Sequence, residues 1–385
     1  MELRAGYKQT EVGVIPDDWD VKTLGEIGKF KNGINKSNEE FGFGFPFVNL
    51  MDVFGKSSIS ENESFGLINS NDIERKLYDL KKGDVLFIRS SVKPSGVGLT
   101  CAIENNLPDI VFSGFIIRYR DNNYLSEGFK KHCFYEERFR NNLIARSTVS
   151  ANTNINQEAL KKLQIPLPPT KSEQTAIANV LSDADALISS LEKLIAKKRN
   201  IKHGAMQKLL QPKEGWEVKK LGEVLKIKHG KDQKEVKSEN GIYPILGTGG
   251  LMGFTNEFLY DKPSVLIGRK GTIDKPQFMK TPFWTVDTLF YSEILKDHDA
   301  KFIFYIFNLI DWYSYNEASG VPSLNANTIE KIEKGFPPFQ EQTRIATILS
   351  DMDTEISALE TKLEKYKKVK LGMMQNLLTG KIRLV

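Results

Sequence analysis

Apolar residues recur in alternating steps of four and three along two stretches of the chain. One is Ile177, Leu181, Ala184, Ile188, Leu191, Ile195; the other is Ile345, Leu349, Met352, Ile356, Leu359, Leu363, Tyr366. That step keeps one narrow stripe of a helix turned towards a partner, so both stretches read as coiled-coil seams. Pro168-Pro169 stops whatever precedes the first helix, Thr170 or Ser172 supplies a cap, and Glu173 puts negative charge into the first turn. About 35 residues at roughly 1.5 Å of rise make a rod of about 50 Å. Each Leu or Ile buried on such a seam contributes about 1.5 to 3 kcal/mol, enough for two rods of one chain to pair. The plainer alternative is a helical hairpin inside a core.

The two stretches are also copies of each other. "VLSDADALISSLEKL" from Val180 returns as "ILSDMDTEISALETKL" from Ile348, with Asp183 answered by Asp351. A domain-sized interval separates them, far beyond the period of a solenoid. Upstream, "NINQEALKKLQIPLPPTKSEQ" parallels "SLNANTIEKIEKGFPPFQEQ"; downstream, "MQKLL" parallels "MQNLL", after which the second copy ends. Its continuation lies at the other end of the chain. There "GVIPDDWDVKTLGEI" matches "PKEGWEVKKLGEV", pairing Trp19 with Trp216 and Leu24-Gly25-Glu26 with Leu221-Gly222-Glu223. The halves are therefore related by circular permutation, with the chain ends expected side by side. Antiparallel pairing of the rods gives such a molecule a pseudo-two-fold axis and two similar surfaces.

Between the copies, residues 28–155 and 225–322 are rich in Gly, Phe, Tyr and β-branched residues. They carry short strand signals in "DVLFI", "VFSGFIIRYR" and "SVLIG". A faint echo, "GDVLFIRSS" against "PSVLIGRKG", places a turn, a buried strand and then a basic residue among small ones in each. The expected fold class is thus α/β (mixed α+β): two globular domains joined by two long helices packed as an antiparallel coiled coil. The boundaries are 1–169 for the first globular domain, 170–212 for the central helix, 213–338 for the second domain and 339–385 for the distal helix.

Composition narrows the chemistry. The chain has 385 residues, 40% of them hydrophobic, so packed cores are expected and disorder is not. Two cysteines, Cys101 and Cys133, do not make a disulfide framework, and four histidines offer no ligand pair at zinc spacing. The N-terminus lacks an apolar signal core, and the longest apolar run, "FIFYIF", is far short of a membrane span. A cytoplasmic protein without membrane contact is expected. The net charge of +5 permits nucleic-acid binding without announcing it.

Enzyme signatures are nearly spelled but fail in detail. "GFPPF" resembles the Asp/Asn-Pro-Pro-aromatic motif of amino-methyltransferases, yet Phe336 occupies the polar position. "LGTGG" lacks the βαβ surroundings of a dinucleotide loop and reads as a turn, and "PDDWDVK" crowds its acids within the constant frame. No catalytic residue and no metal site is assigned to this chain.

Taken together, the paired "PLPPTKSEQTAIANVLSDADALI" and "FPPFQEQTRIATILSDMDTEI" segments, the "DDWDVKTLGEI" and "GWEVKKLGEV" openings and the "MQKLL" and "MQNLLTGKI" endings resemble the specificity subunit of type I restriction–modification systems over essentially the whole chain. The resemblance implies two target recognition domains, each reading one half of a split sequence in double-stranded DNA. It also implies constant helices that act as spacer and dock two modification subunits. Those partners would carry S-adenosylmethionine, and a separate motor-nuclease subunit would use ATP and Mg2+, so this chain itself binds no cofactor. Reading base edges needs Arg, Lys, Ser, Thr, Asn or Gln on loops. The candidates are Arg89, Ser91 and Lys93 after the first buried strand, Arg269 and Lys270 after the second, and Arg146, Thr148, Ser319 and Ser323 in the polar loops ahead of the Pro-Pro boundaries. The partner-docking seam is Ile177, Leu181, Ile188, Leu191 and Ile195 with Ile345, Leu349, Ile356, Leu359 and Leu363. The basic runs Lys197 to Lys202 and Lys365 to Lys370 read as solvated helix faces. Two other classes stay open: a degenerate or fused adenine methyltransferase, and a coiled-coil adaptor that never touches DNA.

Overall fold

Thr170 opens the central helix, its hydroxyl accepting the Glu173 amide at 3.1 Å. From there the chain is helical without a break over Lys171–Leu209, and again over Phe339–Leu377. Each helix has 39 residues, or about 58 Å at the standard rise. The computed structural model describes residues 5–384. By Cα proximity the chain forms two compact units, Met1–Ser190 with Leu363–Val385, and Leu191–Lys362. Each unit takes a part of both long helices.

In the first unit a five-stranded sheet has the order Gly28–Asn32, Ile116–Asp121, Val85–Ile88, Thr100–Ile103, Ser58–Ile59. Val85–Ile88 lies inside it and is buried at every position, which is why it reads as an unbroken apolar run rather than an alternating one. A second sheet places Phe41–Val48 between Val111–Phe112, which runs parallel to it, and antiparallel Gly66–Ile68.

The second unit repeats this plan with different residues. Its sheets run Leu225–Lys228, Leu289–Ile294, Ser264–Gly268, Gln277–Met279, and Gly250–Thr255, Tyr243–Gly247, Trp284–Thr285, the last pair again parallel. The correspondence holds atom by atom where backbones touch. A Cβ on Gly33 would lie 2.1 Å from the Ser113 carbonyl oxygen, and one on Gly230 2.0 Å from that of Val286, so neither position accepts a side chain. The faint sequence echo is therefore a shared topology. "LGTGG" forms the turn joining Tyr243–Gly247 to Gly250–Thr255.

A buried glutamine ties each globular insert to the head of its helix. Gln174 donates from Nε2 to the Pro168 and Tyr124 carbonyls at 3.3 and 3.1 Å, and its Oε1 accepts the Ser126 amide at 2.7 Å. Gln342 donates to the Pro337 carbonyl at 2.9 Å and accepts the Asp299 amide at 3.0 Å. Both side chains are almost fully buried, so these polar groups must be paired or destabilise the fold.

The long helices close the two globular cores. Ile177 and Leu181 belong to the core built on Trp19, Phe129 and Phe134, together with Leu377 and Leu378; Ile345 and Leu349 belong to the core of Phe302 and Tyr305, together with Met206 and Leu210. These four expected seam residues thus seal globular cores, because the ends of the helices cover the sheets. Leu191, Ile195, Ile356 and Leu363 are buried, while Ile188 and Leu359 are only half-buried. The basic runs are largely solvated, as expected for Lys197, Arg199, Lys365 and Lys368, but some of their members also form ion pairs. In the second unit Lys198, Arg199 and Lys202 pair with Glu355, Glu360 and Asp353, and in the first Lys370 pairs with Asp185. Higher numbers on one helix meet lower numbers on the other. Pairs this exposed contribute about 0 to 1 kcal/mol each, so they fix register more than they stabilise.

The described ends of the chain meet in the first unit. The Tyr7 hydroxyl donates to the Gly380 carbonyl at 3.1 Å, and Arg383 forks onto Asp18 at 2.9 and 3.0 Å while also pairing with buried Glu173. Gly380 has φ +69 and backs onto Pro16, where a Cβ would approach to 2.5 Å. Among the described residues no helix is long and apolar enough to cross a membrane.

His132 offers a test of how the first insert sits on the central helix. Its Nε2 lies 3.1 Å from Ser182 Oγ, and burial pushes its pKa down to about 4; Asp185, 4.0 Å from Nδ1, favours protonation, whereas Lys370 and Lys131 oppose it. The folded pKa lies below the ordinary value of about 6.5, so the unfolded chain takes up the proton first and stability falls as pH drops from about 6.5 towards 4. Thermal unfolding between pH 6.5 and 5 should show a loss approaching about 1 kcal/mol per pH unit that His132→Gln removes. An unchanged slope in the variant would place the acid sensitivity elsewhere.

Candidate nucleic-acid interface

The buried strands Val85–Ile88 and Ser264–Gly268 each run out into an arginine. Arg89 donates its amide to the Phe115 carbonyl at 2.8 Å, and Arg269 donates its amide to the Thr288 carbonyl at 2.8 Å. Nη1 of Arg89 reaches the Gly114 carbonyl at 3.2 Å, and Nη1 of Arg269 reaches the Asp287 carbonyl at 3.2 Å. Their own carbonyls accept the amides of Ile155 and Leu324, both at 2.9 Å. Each arginine is thus clamped between a turn inside the insert and the segment leading back to the constant frame. One carbonyl occupies one of five guanidinium donors, leaving the others for a ligand.

Around each clamp the structure gathers candidates from distant parts of the sequence. In the first unit Ser90–Ser91, Thr153–Asn154 and Thr148–Val149 form a small three-stranded sheet, pairing Ser91 with Thr153 and Thr148 with Asn154. Lys93 is exposed at the start of the turn Pro94–Gly96, and Arg146 is exposed at the C-terminal end of the helix Glu137–Ala145. In the second unit Lys270 bridges to Ser323, and the Gly271 amide donates to the Pro322 carbonyl at 2.9 Å. Ser319 is exposed in the same loop. Arg89, Ser91 and Thr148 therefore share one surface with their strand partners, and Arg269, Lys270 and Ser323 share the equivalent one.

Several participants escaped the sequence reading. Asn316 organises the second loop, its Oδ1 accepting the Ser323 amide at 2.8 Å and its Nδ2 donating to the Ala318 carbonyl at 2.8 Å. Thr248, at the tip of the "LGTGG" turn, sits against Gly271, where a Cβ would lie 3.8 Å from its Oγ1. Turn chemistry marked both stretches as loops, but only the fold shows which strand ends they meet.

The side chains gathered here are hydroxyls, amides and cations, the set that reads base edges and neutralises phosphates. Nucleophilic chemistry is poorly served. Cys101 and Cys133 are buried free thiols, and burial pushes Cys101 up to about 12. Among the described residues no group of three His, Cys, Asp or Glu side chains is placed to hold a metal ion. Phe336, at the place of a methyltransferase's polar residue, is buried at the end of strand Glu333–Phe336 in the second core.

Comparison with known proteins agrees with this layout. Residues 16–202 and 213–369 match the type I restriction modification DNA specificity domain. The type I restriction enzyme MjaVIII specificity subunit of Methanocaldococcus jannaschii is 24% identical over 428 positions, covering 96% of this chain and 94% of that protein. The EcoprrI specificity subunit of Escherichia coli is 26% identical, covering 60% of this chain and 61% of that protein. The fold is that of the crystal structure of the type I restriction-modification S subunit from M. genitalium, with TM-score 0.62, 18% identity and 98% of both chains covered. A chain from a structural study of type I R-M complex assembly and conformational transition gives TM-score 0.56 at 15% identity, covering 96% of this chain and 99% of that one.

The clamps predict separable effects. Arg269→Ala should weaken duplex binding about tenfold through one half of a two-part target and leave the other half's sequence preference unchanged. Competition with duplexes altered in one half at a time checks this, and equal loss at both halves contradicts it.

Proposed function

Because the chain belongs to the family defined by the type I restriction modification DNA specificity domain, we propose that it is the DNA-reading subunit of a type I restriction–modification complex. Residues 1–169 and 213–338 are its two target recognition domains, and each reads one half of a bipartite target in double-stranded DNA. The observation that carries this reading is the twin arginine clamp: two topologically equivalent inserts present cations and hydroxyls at the same strand end. Phosphate contacts position each domain and base-edge contacts specify the sequence.

The segments 170–212 and 339–385 form an antiparallel coiled coil with pseudo-two-fold symmetry, and they set the unread spacing between the half-sites. Support comes from the 3-4 apolar step, from the buried Leu191, Ile195, Ile356 and Leu363, and from the opposed numbering of the ion pairs. Two copies of a modification subunit dock on these repeated helices, and motor-nuclease subunits complete the complex in the cytoplasm. Chemistry resides in those partners, which hold S-adenosylmethionine, ATP and Mg2+; this chain supplies recognition.

Of the other classes, the fused methyltransferase is disfavoured by Phe336, whose buried ring cannot hold a target amine. The adaptor that never meets DNA leaves the matched polar loops without a role.

A map of N6-methyladenine in cells producing this chain with its modification subunits should show a new bipartite motif with a fixed unread gap, absent when this chain is omitted. A continuous motif, or a modification subunit that methylates the same sites without this chain, would overturn the proposal.

A further inference from the structure

The two inserts share a backbone plan but do not offer DNA the same chemistry. In the first, Met51, Phe54, Val92 and Phe115 are between 47% and 81% exposed. They line one concavity of about 480 Å3 beside Ser91 and Lys93, and no acidic side chain lines it. Scattered exposed apolar residues are ordinary, but four converging on one hollow mark a contact surface.

The arginine clamps give the register for comparing the second insert. Phe115 and Thr288 carry the carbonyls that accept from the clamped arginine amides, so they are equivalent positions. Ser90 pairs with Asn154 as Lys270 pairs with Ser323. Counting on from Arg89 and Arg269, Val92 corresponds to Thr272. The segment after the parallel strand is the short helix Leu50–Val53 in the first insert, followed by Phe54, and the turn holding Thr248 in the second. Where the first insert has exposed Phe115 and Val92 with Asn152, the second has half-buried Thr288 and Thr272 with exposed Val321.

Resting on the reading of both inserts as DNA readers, we infer that the first reads its half-site through the 5-methyl group of thymine in the major groove, packed against Phe115 and Val92. The occupant is a DNA base edge because the hollow is continuous with the strand Ser90–Ser91, carries Lys93 and lacks any acid, so it suits an apolar group mounted on a polyanion. In the major groove the thymine methyl is the apolar feature that side chains recognise.

The test uses this chain assembled with its modification subunits and duplexes carrying its mapped target. Each thymine is replaced in turn by deoxyuridine, which removes one methyl group and nothing else. At least one replacement in the half-site read by residues 28–155 should weaken binding three- to tenfold. The double variant Phe115→Ser, Val92→Ser should lose the distinction between thymine and deoxyuridine while keeping the salt dependence of binding, which reports phosphate contacts. Normal duplex binding with no response to deoxyuridine in the first half-site overturns the inference and leaves the two-reader function standing. A double variant that loses its modification subunits yet still distinguishes the two bases overturns it too, and assigns the hollow to a protein contact. Absence of any sequence-dependent duplex binding overturns the two-reader function and this inference together.

Discussion

One buried amide, used twice, holds the design together. Gln174 and Gln342 sit in the first turn of the long helices, and each bonds at once to the proline carbonyl ahead of its helix and to a backbone amide within its insert. Leaving such a group unpaired costs about 1 to 3 kcal/mol, so insert, Pro-Pro segment and helix head are locked in one relation. Cores of Phe129, Phe134 and Trp19 in one unit and Phe302, Tyr305 and Phe336 in the other need only keep their volume against the apolar face of the helix.

The same constraint sets the position of the arginine clamps. With the base of each insert fixed, the arginine after Ile88 or Gly268 is clamped by two backbone hydrogen bonds and one from its own guanidinium, of matching lengths in the two inserts. Loops of different sequence in the two inserts are then presented from equivalent rims. A change in those loops, such as Phe115 in one insert against Thr288 in the other, need not disturb the frame.

Much of the frame was legible in the sequence because it is written twice. The repeated helices, the permuted openings around Trp19 and Trp216 and the equivalence of Arg89 and Arg269 all follow from comparing the chain with itself. The helix heads were more difficult: Ile177, Leu181, Ile345 and Leu349 fit a seam by spacing, but periodicity gives a face and not the identity of what covers it. The ion pairs of Lys198 and Lys202 were not foreseeable, because their partners on the other helix lie some 150 residues away in sequence. Asn316, Thr248 and the hollow around Phe115 were hidden for the same reason, since each depends on contacts between segments that no local pattern connects.

The central claim is that the two inserts are interchangeable readers on one repeated frame. Replacing residues 225–322 by a second copy of residues 28–155 tests it most directly, with N6-methyladenine mapping as the readout. Equivalent readers related by a two-fold axis predict an inverted repeat of the first half-site across an unread gap of the original length. Retention of the original second half-site, or a folded and assembled chain that directs methylation to no two-part target, would contradict it.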